Sequence, residues 1–340
     1  MLVQKGVVIM RAERLAVYTT IHPGCEPYLA SWCESVRRQT DRDFDLWIGL
    51  DALAPAAACP ALSISPAQLE AEVGDRIPVR WIIARPGDTP ARLRQRALAE
   101  MVAIYERIVL VDADDLLQHS RVAAAREALA TCDVVACALR LIDERGVDMG
   151  VTFGLESCAP AERDPAALMP RVNVFGLSNS AYRSSVLARC LPVPPDCVVT
   201  DWLLASRAFA LGARLMWDRT PRMGYRQYAH NCTRILGPYT PQDVLTAASL
   251  VTHHYRLLLD TPWDWPAGTR QPFEHARRRA QAFYNVMRAA PDRLDRYTAA
   301  LNLLPPKYVW WWTVAHPDLE DLWTPSLSTA ASSARAHRHS

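Results

Sequence analysis

The segment Arg107-Ile-Val-Leu-Val-Asp-Ala-Asp-Asp115 decides the fold class. Its apolar run, Ile108 to Val111, has the composition of a strand buried on both faces of a parallel sheet. The run stops at Asp112, Asp114 and Asp115. In an open α/β sheet, ligands bind beyond the carboxyl ends of the strands. Carboxylates clustered there repel one another unless a cation or hydrogen-bond donors join them. Their oxygens suit hard divalent ions such as Mg²⁺ and Mn²⁺, which also hold phosphate oxygens. The segment therefore predicts a metal-diphosphate site at a strand end. A plain loop opening, or a cap on the next helix, is the competing reading. An EF-hand loop is excluded: Leu117 stands where it needs Gly, and Ala123 where it needs a bidentate Glu. A phosphatase with an aspartate nucleophile ranks low, because its other groups are not found.

Outward from this segment, strands and helices alternate. Strands are predicted over 15–21, 44–50, 78–84 and 133–139. A helix is predicted over 27–39, with Leu29, Trp32, Cys33 and Val36 at core-facing spacing. Thr89 and Pro90 form an N-cap and first-turn pair. They open a helix carrying Leu93, Ala97, Met101 and Ile104 on one face. This βαβα order predicts a mostly parallel sheet with helices on both faces. The stretch 156–170, rich in Pro, Ala and charge, reads as a loop or short helices, and 172–175 as a short strand. A helix over 201–211 ends at Gly212, and strand pattern resumes over 213–217. From Pro241 the pattern is helical. The expected division is an α/β domain over 1–235, a helical C-terminal region over 236–325, and a disordered tail over 326–340, rich in Ser, Ala, Arg and His.

Bulk composition narrows the function classes. Hydrophobic residues make up 50% and charged residues 22% of the 340, as in an ordinary globular protein. The net charge of +2, from 38 basic and 36 acidic residues, argues against nucleic-acid binding through a broad basic face. Nine cysteines without C-x-x-C spacing read as reduced thiols, so a cytoplasmic protein is expected. No apolar run is long enough to cross a bilayer, and the start lacks the cleavage site of a secretory signal.

Several further motifs join the acidic one in chain order. Tyr28-Leu29, Glu34-Ser35-Val36 and Gln39-Thr40 lie in the first helix and its exit. Thr200-Asp201-Trp202 precedes Leu204 and Gly212; Tyr225-Arg226-Gln227-Tyr228 precedes His230-Asn231. Over roughly 15–231 this ordered set resembles the GT-A-fold glycosyltransferases, most closely family 2. The likeness departs at three places. Thr200 stands where Glu is usual, Tyr228 where His is common, and Thr19-Thr20-Ile21-His22-Pro23-Gly24 where Pro and Asn are usual.

The resemblance implies a Rossmann-like nucleotide-diphospho-sugar transferase fold with a helical C-terminal region. It implies an inverting enzyme that moves a sugar from a nucleotide-diphosphate donor to a hydroxyl acceptor: a glycan, a lipid-linked sugar or a small molecule. A role in polysaccharide biosynthesis would follow. It implies Mn²⁺ or Mg²⁺ held by Asp114 and Asp112, with His230 as a possible third ligand and Asp112 also able to meet the ribose. Asp201 would be the catalytic base, Asp51 and Thr20 would meet the nucleoside, and Arg94 the diphosphate. A helix cap for Asp201 and a turn role for Asp51 stay open. Asp115 either ligates, orients or caps. Arg92 and Arg96 read as solvated helix surface, and His22 and Asn179 as loop and turn residues, although Asn179 could line the acceptor side. The alternatives in function are a nucleotidyltransferase acting on a sugar phosphate and an inactive nucleotide- or glycan-binding protein. The first would want a Gly-rich phosphate loop, and only Gly24 lies in the first loop. Tyr308-Val-Trp-Trp-Trp312 reads as core packing, or as a peripheral membrane contact at the inner face.

Overall fold

The computed structural model describes residues 14–51, 64–228 and 234–324. They form two compact units. One contains the described residues up to Phe153 and from Phe175 to Tyr228; the other contains Gly154–Val174 and the described residues from 234 onward.

The first unit is built on a sheet of nine described strands in the order β3-β2-β1-β4-β8-β6-β9-β5, with β7 beside β6. In chain order these are β1 (Leu15–Ile21), β2 (Phe44–Leu50), β3 (Val79–Ile83), β4 (Arg107–Leu110), β5 (Leu116–Leu117), β6 (Val134–Ile142), β7 (Asp148–Phe153), β8 (Ser180–Arg183) and β9 (Leu215–Arg226). β3, β2, β1 and β4 pair in parallel, as do β6 and β9. β8 runs against both β4 and β6 and joins the two parallel sets. The expected mostly parallel sheet is present. β1, β4 and β6 are buried almost throughout, the pattern of strands that have no solvent-facing side for polar alternation.

The helices follow their sequence signals. α1 (Leu29–Arg37) buries Leu29, Trp32, Cys33 and Val36, the stripe its spacing predicts. It begins later than expected, since Pro27 falls inside a 3-10 helix, Pro23–Tyr28. α2 (Pro66–Val73) is closed by a Ser65/Gln68 capping box. α3 (Pro90–Met101) starts at Thr89, whose hydroxyl accepts from the Arg92 N–H. Ile104 lies beyond its end and is exposed, so it does not join the core face. α4 (Arg121–Ala128), α6 (Ser184–Cys190) and α7 (Thr200–Ala210) complete this unit. Gly212 follows α7 at φ +73°, the left-handed position that closes a helix at low steric cost.

The second unit is helical: α5 (Pro165–Leu168), α8 (Pro241–Asp260), α9 (Gln271–Ala289) and α10 (Pro291–Leu301). The strand expected over 172–175 is absent; Asn173 makes only an isolated antiparallel bridge to Trp310. Trp310, Trp311 and Trp312 are buried, as is Trp323, so the tryptophans of the quoted cluster pack into the interior of this unit. Among the described residues no helix is long and apolar enough to cross a membrane. The tail over 326–340 lies outside the described residues.

Candidate active site

β1, β2 and β4 are parallel and end along one edge of the sheet. The residues leaving those strands therefore meet. Val111 prolongs the pairing by donating to the Tyr18 carbonyl at 3.0 Å. The chain then turns through Asp112 to Asp115, where the Asp115 N–H donates to the Asp112 carbonyl at 3.3 Å. β5 follows at once and pairs with β9, so the acidic turn is held from both sides.

The three carboxylates divide by burial. Asp115 is 1% exposed. One of its oxygens accepts from the Arg226 backbone N–H at 2.8 Å, and the other from the Ser178 hydroxyl. It is neither a helix cap nor a group facing solvent. Asp112 and Asp114 keep partial exposure. The Tyr228 hydroxyl donates to Asp114 Oδ2 at 2.6 Å. Burial, then the Asp114 charge, pushes the Asp112 carboxyl up to about 7; Asp201 adds to this, and Arg94 opposes it. Burial, and then Asp114 and Asp112, also raise Asp115 well above the carboxylate range. The fold's own residues therefore do not favour the charged forms of Asp112 and Asp115.

The wall beside them comes from α3 and α7. Arg94 Nη1 donates to the Thr200 hydroxyl at 3.3 Å. Arg94 and Asp201 are both close enough to act on Asp112. Asp201 is the second residue of α7; the cap position is Val199, which makes no side-chain cap. The capping explanation of Asp201 therefore falls. Of the neighbouring arginines, Arg92 is exposed. Arg96 is bonded to the Ile83 carbonyl at 3.0 Å and paired with Asp88. Only Arg94 of the three is turned to the acidic turn.

The floor comes from β1 and β2. The Tyr18 and Thr20 hydroxyls are 3.1 Å apart, and Tyr18 lies within the influence of Arg94 and Asp112. A Cβ on Gly49 would stand 2.6 Å from Tyr18 Oη, so the glycine is what lets that phenol lie across the neighbouring strand. Asp51 follows β2, 6% exposed, its N–H bonded to the Ile21 carbonyl at 2.8 Å. The nucleotide-facing candidates thus lie at the ends of adjacent strands. His22 is exposed and accepts from the Gly24 N–H at 3.1 Å, capping the 3-10 helix. Asn179 is fully buried; its amide bonds the Gly176 N–H and the Cys137 carbonyl, each at 2.7 Å. It holds a turn and does not line an open acceptor side.

Other residues, three of them from the quoted motifs but given no role by the sequence, support the site. The Arg226 guanidinium is held by the carbonyls of Asp114 at 2.7 Å, Glu144 at 2.7 Å and Asp143 at 3.2 Å. It also stacks on Tyr28, 4.4 Å from the ring centroid. Tyr28 in turn lies against Tyr228, with ring centroids 5.6 Å apart. Arg226 thus fixes the backbone of the acidic turn, while Ser178 fixes its buried carboxylate.

Among the described residues, no group of three His, Cys, Asp or Glu side chains converges to hold a metal ion. His230 lies outside the described residues. Asp112 and Asp114 nevertheless fit a hard divalent ion: they are neighbouring, partly exposed carboxylates whose charges oppose one another. They suit an ion that takes its remaining oxygens from a phosphate, as Mg²⁺ does.

No protein-family model matches the chain, and no curated protein matches it. Solved structures do. Mannosyltransferase PcManGT from Pyrobaculum calidifontis, in complex with GDP-Man and Mn²⁺, matches at 16% identity over 95% of this chain and 79% of its own, with a TM-score of 0.55. S. aureus TarS 1-349 in complex with UDP-GlcNAc matches at 13% identity over 85% of this chain and 79% of its own, TM-score 0.53. The same protein in complex with UDP matches at 16% identity over 95% and 87%, TM-score 0.52. The chain has the GT-A-like fold. At these identities the likeness is one of architecture, and chemistry must be argued from the site itself.

Proposed function

We propose that the chain is an inverting, metal-dependent glycosyltransferase that moves a sugar from a nucleotide-diphosphate donor to a carbohydrate or other hydroxyl acceptor. The observation that carries this reading is the meeting of two distant motifs: Asp112 lies under the influence of Asp114, Arg94 and Asp201 together. A cation-hungry carboxylate pair, a phosphate-matching guanidinium and a second, separate carboxylate are the parts that sugar transfer from a diphosphate requires. The bound ligands of the fold's relatives, GDP-Man with Mn²⁺ and UDP-GlcNAc, support a donor of this class.

In this reading Asp51 and Thr20 accept and donate hydrogen bonds to the nucleoside. Arg94 pairs with the diphosphate, for which its fork geometry is suited. Asp112 and Asp114 hold Mn²⁺ or Mg²⁺, with Asp112 also within reach of the ribose and His230 as a candidate third ligand. When bound, the ion supplies Lewis-acid stabilisation of the charge that grows on the diphosphate. Asp201 takes the proton of the acceptor hydroxyl as its oxygen attacks the anomeric carbon. The bond from that carbon to the diphosphate oxygen breaks on the opposite face, and the electron pair leaves with the diphosphate. Tyr228 and Arg226 keep Asp114 and its turn in place. NMR of the product formed from a donor of known anomer tests the stereochemistry: the inverted anomer is expected, and retention overturns the role of Asp201 as base.

A further inference from the structure

The helical unit contains a cavity unrelated to the chemistry above. Its empty space, about 660 Å³, includes the open solvent at its mouth. Its walls are largely apolar: aliphatic side chains, Tyr255 and Trp312. Its charged lining is unbalanced, with Arg171, Arg279 and Lys307 against a single carboxylate, Glu162. Glu162 is already engaged by Lys307 Nζ at 2.8 and 3.1 Å. Arg279 is paired with Glu320 at 2.8 Å outside the lining. Arg171 is exposed and, among the described residues, has no ion-pair partner.

A buried polar group joins these cations. His316 lines the cavity and is 3% exposed. Its Nδ1 accepts the Asp318 N–H at 3.2 Å, so a neutral ring carries its proton on Nε2 and offers it as a donor. Burial first lowers the imidazole's pKa, opposed by Asp318 and Glu162 and aided by Lys307 and Arg171. A buried donor thus lines an apolar pocket whose lining also carries Arg171, the exposed cation left without an ion-pair partner among the described residues.

The backbone supplies an independent observation. Trp311 at φ 72° and Ala315 at φ 50° are the described non-glycine residues with positive φ. Both lie in the segment that provides Trp312, Val314 and Ala315 to the wall. Such conformations persist where the surroundings impose them. Tyr297 ties this segment down: its buried hydroxyl donates to the Thr313 carbonyl at 2.8 Å and accepts from the His316 N–H at 3.0 Å. Strain held in this way is characteristic of ligand clamps.

We infer that this cavity is a second binding site, for a small amphiphile whose anionic head meets Arg171, Lys307 and His316 and whose apolar tail enters the chamber toward Trp312. The head is a carboxylate or a phosphate, and the two are separated by the choice of probe. The inference is independent of the glycosyl-transfer reading.

Isothermal titration of the full chain with octanoate, octyl phosphate, octanol and inorganic phosphate tests it. At least one of the two anionic amphiphiles should bind saturably at one site. Octanol and inorganic phosphate, each lacking half of the match, should bind at least about tenfold more weakly. Arg171→Glu, a change at an exposed residue, should weaken the anionic amphiphile about tenfold or more, while the thermal shift given by nucleotide sugar stays as in the unmodified chain. Absence of binding by both anionic amphiphiles, octanol binding as tightly as they do, or unchanged affinity in Arg171→Glu would each overturn the proposal. None of these results bears on donor binding.

Discussion

The two edges of the parallel sheet treat the same side chain in opposite ways. At the amino-terminal edge, aspartates are closed off by arginines. Asp45 meets Arg14 at 3.0 Å and Arg80 at 3.3 Å, and the Tyr105 hydroxyl bonds it as well. Asp41 meets Arg126 at 2.6 Å. Asp133 meets Arg214 at 3.3 Å and Arg183 at 3.9 Å. At the carboxyl edge, Asp112, Asp114 and Asp115 meet hydroxyls, backbone and one another, and Arg94 is the cation that opposes the charge of Asp112. Burial works against the charge of Asp133, yet the Arg214 N–H and guanidinium, with Arg183, hold its carboxyl below the usual range. Asp112 is pushed up to about 7. The first edge satisfies its charge within the fold. The second leaves charge for a ligand to satisfy, the pattern by which functional sites separate from structural ion pairs.

This contrast can be broken most sharply at Asp201. Asp201→Asn should lower kcat by roughly 10²- to 10⁴-fold, the range for loss of a general base, while metal-dependent donor binding stays intact. Near-normal turnover would make the carboxylate a bystander. The next effect belongs to Arg94: alanine there should raise donor KM far more than acceptor KM, since a charge-assisted bond to phosphate is lost. Equal changes in both would return Arg94 to the helix surface.

At the other edge the expected effects are on stability alone. Asp45→Asn should cost about 1–3 kcal/mol, because Arg14, Arg80 and Tyr105 lose a charged acceptor. A lower urea midpoint at unchanged slope, with normal turnover, is the reading. Asp133 gives the smallest effect, and it is one of pH. Its depressed pKa contributes stability that is full above the ordinary carboxylate pKa of about 4. That stability is lost as pH falls through the lower folded value. Asp133→Asn should therefore flatten the acid limb of Tm against pH and leave Tm changes above pH 5 independent of pH. Asp112, raised instead, has the opposite sign: its ionised form weighs against the unliganded fold as pH rises toward 7.

What the sequence made legible follows local physics. β1 and β2 fall at the expected residues because apolar β-runs bounded by turns admit no other register. Thr89-Pro90 and Gly212 mark helix ends through capping chemistry, which is local. The acidic turn is readable for the same reason. Its support is not: Ser178 and Arg226 reach Asp115 and Asp114 across sequence separations of 63 and 112 residues, and no local pattern reports such a pairing. Thr200 reads as a departure from a motif, yet in the fold it receives the Arg94 guanidinium. The short strand expected over 172–175 fails because Val172, Val174 and Phe175 are apolar for packing, while strand formation needs a neighbour, which only Trp310 supplies. The cavity of the helical unit has no motif at all, since its lining is gathered from Cys158 to Pro317.

On the proposed function, the carboxyl edge reserves its carboxylates for a cation and a diphosphate. Thermal shift with UDP-, GDP- and dTDP-sugars, each with and without Mn²⁺, measures it directly in the unmodified chain and in Asp114→Asn. Binding to the native state alone raises Tm. One nucleotide sugar and Mn²⁺ together should raise Tm in the unmodified chain, neither alone should do so to the same extent, and Asp114→Asn should abolish the joint effect without lowering the Tm of the unliganded protein. A joint shift of equal size in Asp114→Asn, or no shift with any donor, would contradict it.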